Sequence, residues 1–73
     1  MSQKKKLNRI KAVLAEKDKT NLWLAEKLEV NKTTVSKWCT NVVQPTAENL
    51  FAIANALKVD VRELLVSNLN SKK

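Results

Sequence analysis

The polar side chains between Asn31 and Asn41 form the stretch of this sequence best suited to recognising another molecule. If the segment is helical, Val35 and Trp38 share one face. The opposite face then carries lysine and hydroxyl side chains, and Lys32 projects from the first turn. The side chains of the opposite face are Thr33, Ser36, Lys37 and Thr40. No acidic residue interrupts residues 30–47. Ammonium and hydroxyl groups donate hydrogen bonds to anions and to acceptor atoms of nucleic-acid bases, so this face would fit a groove flanked by negative charge.

Residues for catalysis are scarce. The chain contains no His and no Tyr, and its single cysteine, Cys39, has neither a Cys nor a His companion. This composition removes the usual zinc ligand sets and the Cys–His nucleophile pair. The 73 residues suffice for one small domain with a modest core and no deep cleft. We therefore expect no enzyme, no metal and no cofactor, and we interpret Cys39 as a small apolar filler.

Positive charge is concentrated in the first half of the chain. Residues 1–41 contain ten Lys or Arg and four acidic residues, whereas residues 42–71 contain two and three. Such an asymmetry is typical of a surface that neutralises phosphates, although lysines can also serve only to keep a small protein soluble. Because the basic half coincides with the acid-free polar face, the first interpretation is favoured.

The sequence also predicts a compartment. No run of about 18 apolar residues occurs, and the N-terminal residues lack the apolar core of a signal peptide. One cysteine cannot form an internal disulfide. We expect a soluble, cytoplasmic protein.

Two short helices joined by a tight turn are predicted within residues 21–38. Apolar residues recur at helical spacing in two segments, and the pattern is interrupted between them. Leu24, Ala25 and Leu28 share one face of the first helix. A small side chain at Ala25 would let two steeply crossing helices approach closely, and a larger one would overpack the crossing.

The spacing of Ala25, Val30, Val35 and Trp38 closely resembles the helix-turn-helix of the phage Cro and repressor proteins and their xenobiotic-response-element (XRE) relatives. The resemblance extends from about Leu7 to Leu65. It implies an all-α fold, a compact five-helix lambda-repressor-like DNA-binding domain. Position 29 departs from the family, since it carries a glutamate where glycine usually enters the turn. A non-glycine residue in the left-handed region costs about 1 kcal/mol.

The resemblance also implies roles on double-stranded DNA. It assigns base reading in the major groove to Lys32, Thr33 and Lys37. We expect contacts with the DNA backbone from a second set, in which the resemblance points to Asn21, Thr40, Asn41 and Gln44. The full set is Asn21, Trp23, Thr34, Ser36, Thr40, Asn41 and Gln44. The alternatives are an ordinary solvated surface for the helix and a plain connector for the loop after it. Trp23 points away from the predicted core, so its indole N–H could meet a phosphate, cover a lysine stem or contact a protein.

Side chains that can cap helices mark the element boundaries. Candidate N-terminal caps stand at Thr20, Asn31, Thr46 and Asp60. Asn41 is expected to end the helix that spans residues 32–40 in a left-handed conformation, since the chain contains no glycine.

The outer helices follow from apolar spacing. A first helix is predicted from Leu7 to about Lys17, with Leu7, Ile10 and Leu14 in the core. A fifth helix is predicted after Asp60, with Val61, Leu64 and Leu65 turned inward. The predicted organisation is a flexible basic segment 1–5, a helix-turn-helix domain 6–66 and a flexible tail 67–73.

The function that these observations predict is a sequence-specific transcriptional regulator. We expect a repressor that binds an inverted-repeat operator as a homodimer, with Val66 and Leu69 in the dimer contact. No separate effector domain or small-molecule effector is evident. Phage repressors, restriction-modification controllers and antitoxins all share this pattern.

The alternative is an interaction module, such as an antitoxin-like protein whose main contact is a protein partner. Its contact surface would consist of Trp23, Val66 and Leu69.

Overall fold

The computed structural model describes residues 6–66, which form four α-helices and one turn of 3-10 helix. The α-helices are α1 (Ile10–Glu16), α2 (Asn21–Leu28), α3 (Lys32–Cys39) and α4 (Ala47–Leu57), and the 3-10 turn is Val61–Leu64. The predicted flexible segments 1–5 and 67–73, and Leu69 with them, lie outside the described residues. None of the helices between residues 6 and 66 is both long and apolar enough to cross a membrane.

The four predicted N-terminal caps are confirmed. Each side-chain oxygen accepts a hydrogen bond from a backbone N–H: Thr20 from Trp23 (3.0 Å), Asn31 from Thr33 (2.7 Å), Thr46 from Asn49 (3.1 Å) and Asp60 from Arg62 (2.8 Å). These bonds satisfy N–H groups that have no partner within a helix, so each helix start is specified locally.

All four α-helices of the described chain lead into a residue in the left-handed conformation. These residues are Asp18 (φ 59°), Glu29 (φ 59°), Asn41 (φ 62°) and Lys58 (φ 60°). After α2, Val30 N–H donates to Ala25 O (2.9 Å) and Glu29 N–H donates to Glu26 O (3.3 Å). This pair of bonds is the Schellman motif, which usually employs glycine at the left-handed position.

The two ends of the predicted domain differ from expectation. The first helix begins at Ile10 and not at Leu7, whose side chain is 49% exposed. The fifth helix is only a 3-10 turn, and Leu65 is 43% exposed. The reason is that the two ends of the domain pair in an antiparallel bridge between Asn8 and Leu65, with Arg9 N–H donating to Leu64 O (2.8 Å) and Val66 N–H donating to Leu7 O (3.1 Å). Helical spacing does not govern side chains on an extended segment.

The core lies where α2 packs against α3 and α4 and where α1 and the 3-10 turn close the remaining side. Its buried members are Ile10, Val13, Leu14, Leu24, Ala25, Val35, Trp38, Cys39, Ile53, Ala54, Leu57 and Leu64. Trp23, expected outside the core, is half-buried and packs against its edge.

Replacing Glu29 or Lys58 by glycine should raise the free energy of unfolding by about 1 kcal/mol each, because glycine adopts positive φ without the Cβ penalty. Both side chains are exposed, so no packing is lost. Denaturant unfolding measures the change. Asn41→Gly is the matched control at a third left-handed position. It should lower stability, because it removes a buried side chain with several hydrogen bonds. Equal stabilisation by all three variants would contradict this account.

Candidate nucleic-acid interface

The crossing of α2 and α3 determines which side of α3 faces outward. Ala25 is 3% exposed, and Val35 and Trp38 are buried with it in the core. The left-handed Glu29 and the cap at Asn31 confine the connection between the helices to three residues, 29–31. The opposite face of α3 is therefore left on the surface.

That outer face is basic and polar. Lys32, Thr33, Ser36 and Lys37 are exposed, and Thr34 is half-buried. Among residues 6–66 the ion pairs are Arg9–Glu16 and Arg62–Asp60, so neither lysine of α3 is neutralised there. The structure thus places all three residues predicted for base reading together on one accessible helix.

Asn21 lies beside the C-terminal end of α3. Its Oδ1 accepts a hydrogen bond from Cys39 Sγ (3.4 Å), which leaves the two hydrogens of Nδ2 available to an outside acceptor. Burial raises the pKa of the Cys39 thiol, with Lys11 opposing that shift. The thiol therefore stays protonated near neutral pH and remains a donor to Asn21.

Asn41 does not face outward, which corrects its predicted contact with the DNA backbone. The side chain is 8% exposed. Its Oδ1 accepts from Leu7 N–H (2.8 Å), Asn8 N–H (3.0 Å) and Gln44 Nε2 (3.1 Å), and its Nδ2 donates to Asn8 O (3.3 Å). The left-handed backbone confirms the prediction for helix termination, and it also turns the amide into the protein.

Asn8 is a structural residue that the sequence reasoning missed. It is 3% exposed, and its Nδ2 donates to Trp38 O (2.9 Å) and Gln44 Oε1 (2.8 Å). Its Oδ1 accepts from Ile10 N–H (3.0 Å) at the start of α1. An Asn just before an apolar run is a helix-start signal, but the partners of its Nδ2, Trp38 and Gln44, are 30 and 36 positions away along the chain.

The loop after α3 has fewer free donors than predicted. Gln44 is exposed, but one hydrogen of its Nε2 goes to Asn41 and its Oε1 accepts from Asn8. The Thr40 hydroxyl donates to Ser36 O (3.0 Å). One amide hydrogen of Gln44 is left for an external contact.

The neighbours of Trp23 are lysines outside α3. Its ring lies 4.9 Å from Lys19 Nζ and 5.8 Å from Lys27 Nζ, measured to the ring centroid. It lines a groove with residues from the ends of α1 and α4, not with the outer face of α3. The geometry therefore places two lysine ammonium groups near the Trp23 ring, within the range of cation–π attraction.

A second groove lies between α1 and the end of α3, with a volume of about 520 Å³. Lys6, Arg9 and Lys11 line it together with Asn8, Ala12, Ala15, Cys39 and Asn41. Arg9 is tied to Glu16 Oε2 (3.3 Å) and to Glu63 O (2.8 Å), so Lys6 and Lys11 are its freer cations. Lys11 was not predicted as a site residue, since no local pattern connects it with α3.

These features together define a helix-turn-helix DNA-binding domain. They are a first helix that ends in a left-handed residue, a three-residue turn, and a second helix with an exposed face that has no acidic residue. The chain belongs to the helix-turn-helix family, of the XRE type, whose family model matches residues 10–64. This confirms the identification made from the sequence. It also assigns the chain to the DNA-binding regulators, and the all-α fold class holds although the last helix is only a turn.

A solved structure supports the assignment. The crystal structure of a candidate DNA-binding protein from Bacteroides fragilis matches with a TM-score of 0.81 and 50% sequence identity, over 82% of this chain and 97% of that chain. No curated protein sequence matches the chain.

Asn8→Ala should lower the free energy of unfolding by about 2 to 3 kcal/mol, because the buried amide makes several hydrogen bonds and its loss leaves buried partners unsatisfied. Chemical denaturation followed by the fluorescence of Trp23 and Trp38 measures the loss. Asn55→Ala is the control, since Asn55 is exposed on α4 and its replacement should change stability by less than about 0.5 kcal/mol. Similar values for both variants would show that the network contributes little.

Proposed function

We propose that this chain is a cytoplasmic, sequence-specific regulator that inserts α3 into the major groove of double-stranded DNA and represses transcription by occluding a promoter. The observation that carries the proposal is the outer face of α3, which is exposed, basic and free of acids, and which the buried crossing at Ala25 holds outward. A single α-helix fits the width of the major groove.

Base reading is proposed for Lys32, Thr33 and Lys37. A lysine ammonium can donate to O6 or N7 of guanine, and a threonine offers a hydroxyl for either hydrogen-bonding role and a methyl for thymine. All three side chains are exposed, so no rearrangement of the core is needed for contact.

Backbone contacts are proposed for residues around α3. Asn21 has free amide hydrogens at the positive end of the α2 dipole, where a phosphate is favoured. Ser36 and Thr34 add hydroxyls from α3, and Gln44 has one remaining amide hydrogen. Lys11 adds an exposed cation in the groove between α1 and the end of α3. We leave out Asn41 and Trp23, whose side chains are engaged elsewhere.

A homodimer is proposed because α3 has only eight residues and can touch only a few base pairs. Leu7 and Val66 form an exposed apolar patch where the two ends of the domain pair, and Leu65 is exposed next to Val66 in the chain. Val66 is 41% exposed and hydrogen-bonded to Leu7 across the pairing. Such a patch could meet its own copy about a two-fold axis.

The test of DNA binding is selection of bound sequences from random duplexes, followed by affinity measurements on the selected site. The chain should prefer that site over random duplex by at least about a thousandfold. Log affinity should fall with log salt, with a slope of about 0.9 per contacted phosphate. A slope near zero, or equal binding to all duplexes, would contradict the proposal.

Two kinds of variant serve as internal controls for that measurement. Thr33→Ala and Lys37→Ala should each cost about 1 to 3 kcal/mol on the selected site and relax the preference at one or two base pairs. Asn21→Ala should weaken binding to all sequences alike, because phosphates carry no sequence information. A change of base preference in Asn21→Ala would mean that the two roles are wrongly divided.

The operator should be an inverted repeat whose half-sites are centred about 34 Å apart, since two recognition helices related by a two-fold axis enter successive major grooves. Changing Val66 and Leu69 to Ser should weaken both dimerisation and operator binding, as measured by sedimentation and band shift. Phe51→Ser is the control, because Phe51 is an exposed apolar residue on α4, away from this patch in sequence. A Val66→Ser, Leu69→Ser protein that stays dimeric at micromolar concentration would place the interface elsewhere.

A further inference from the structure

A basic groove with an aromatic wall lies on a part of the surface that the proposed DNA contacts do not use. It has a volume of about 350 Å³ and is lined by Lys17, Lys19, Trp23, Lys27, Ala56, Leu57 and Lys58. Its four lysines come from the end of α1, the α1–α2 connection, α2 and the end of α4. Only folding brings them together, and no acidic side chain lines the groove. We call this surface the Trp23 groove.

The lysines of the Trp23 groove are held near one another without a counter-charge. Within residues 6–66, none of the four takes part in an ion pair. The ring of Trp23 holds two of the ammonium groups, with Lys19 Nζ at 4.9 Å and Lys27 Nζ at 5.8 Å from its centroid. Cation–π attraction of this kind offsets part of the repulsion between like charges. A bound anion would offset more of it, because each ammonium keeps hydrogen-bond donors free.

The groove also has an apolar component. Trp23 is half-buried against the core, and Leu57 and Ala56 of α4 line the groove next to it. A ligand that matches both parts must carry several negative charges around at least one apolar side chain. We propose that the Trp23 groove binds an acidic segment of a partner protein, with carboxylates at the lysines and an apolar or aromatic side chain against the ring of Trp23.

The apolar lining favours a peptide over a nucleic-acid backbone. The bases of a duplex are stacked inside it, so its backbone presents phosphates but no projecting apolar side group that could enter the groove beside Trp23 and Leu57. In addition, no residue of α3 or of the loop 40–44 lines the groove. The peptide site goes beyond the proposed regulator function, and it predicts that the chain can hold DNA on α3 and an acidic partner on the Trp23 groove at the same time.

The experiment uses a short, fluorescein-labelled synthetic peptide of Asp and Glu residues around one central Phe, titrated with the full chain at about 0.15 M salt and followed by anisotropy. Binding should be saturable with one peptide per chain. A peptide with Asn and Gln in place of the acids should bind at least about tenfold more weakly, because the charge-assisted contacts are lost.

Two double variants with the same loss of charge locate the site. Lys27→Gln with Lys58→Gln should weaken peptide binding about tenfold, as expected from two contacts of roughly 0.7 kcal/mol each. Lys6→Gln with Lys11→Gln removes the same charge from the groove between α1 and α3 and should change peptide affinity less than about twofold.

Three results would overturn the proposal. The first is the absence of saturable peptide binding. The second is an equal loss in both double variants, which would reduce the effect to net charge. The third is displacement of the peptide by duplex DNA together with weaker DNA binding by the Lys27→Gln, Lys58→Gln protein, which would make the groove part of the DNA surface. If the DNA proposal alone fails, DNA binding is absent while the peptide titration keeps its variant pattern.

Discussion

The hydrogen-bond network of Asn8 and Asn41 is the interaction on which the placement of α3 depends. Asn41 ends α3 and accepts from the backbone of Leu7 and Asn8, while Asn8 donates back to Trp38 O. Residues 7–9 pair in turn with residues 64–66. One buried polar network therefore joins the end of α3, the start of α1 and the last part of the described chain. Such networks specify a single arrangement because each unmet buried partner is unfavourable.

The chain contains no glycine, so the left-handed residue that ends α3 has to be stabilised in another way, which is the role of this network. Every α-helix of the described chain leads into a left-handed residue, and each of those residues carries a Cβ. Glu29, Lys58 and Asp18 accept the associated cost at exposed positions, whereas Asn41 offsets it with side-chain hydrogen bonds. Asparagine is among the residues that tolerate this conformation best. The one left-handed position with buried side-chain partners is thus the one that follows α3.

Lysine side chains occur on two separate surfaces of the domain, the outer face of α3 and the Trp23 groove. The outer face of α3 has lysines and hydroxyls but no aromatic side chain, and it matches the polar edges and phosphates of DNA. The Trp23 groove has lysines around an aromatic ring, which is the basis for the proposed acidic ligand with an apolar group. The two surfaces lie on helices that share one core, so a small domain can present both. The family assignment supports the DNA surface that we propose, whereas the groove is inferred from the geometry of this chain alone.

The sequence by itself determined the features that depend on neighbours along the chain. The helix-turn-helix and the outward face of α3 could be predicted from local features, because each of these features depends on residues within one or two helical turns. The features are the helical spacing, the caps at Thr20 and Asn31, the small Ala25 and the turn at Glu29. Tertiary structure alone decided the hydrogen-bond partners of Asn8 and the inward orientation of the Asn41 amide. It also decided the pairing of the two chain ends, which shortened the first and last helices, and the groove that Trp23 shares with the end of α4. Those outcomes join segments some 30 or more positions apart, and the free energy of such contacts depends on burial and on partners that local patterns do not contain.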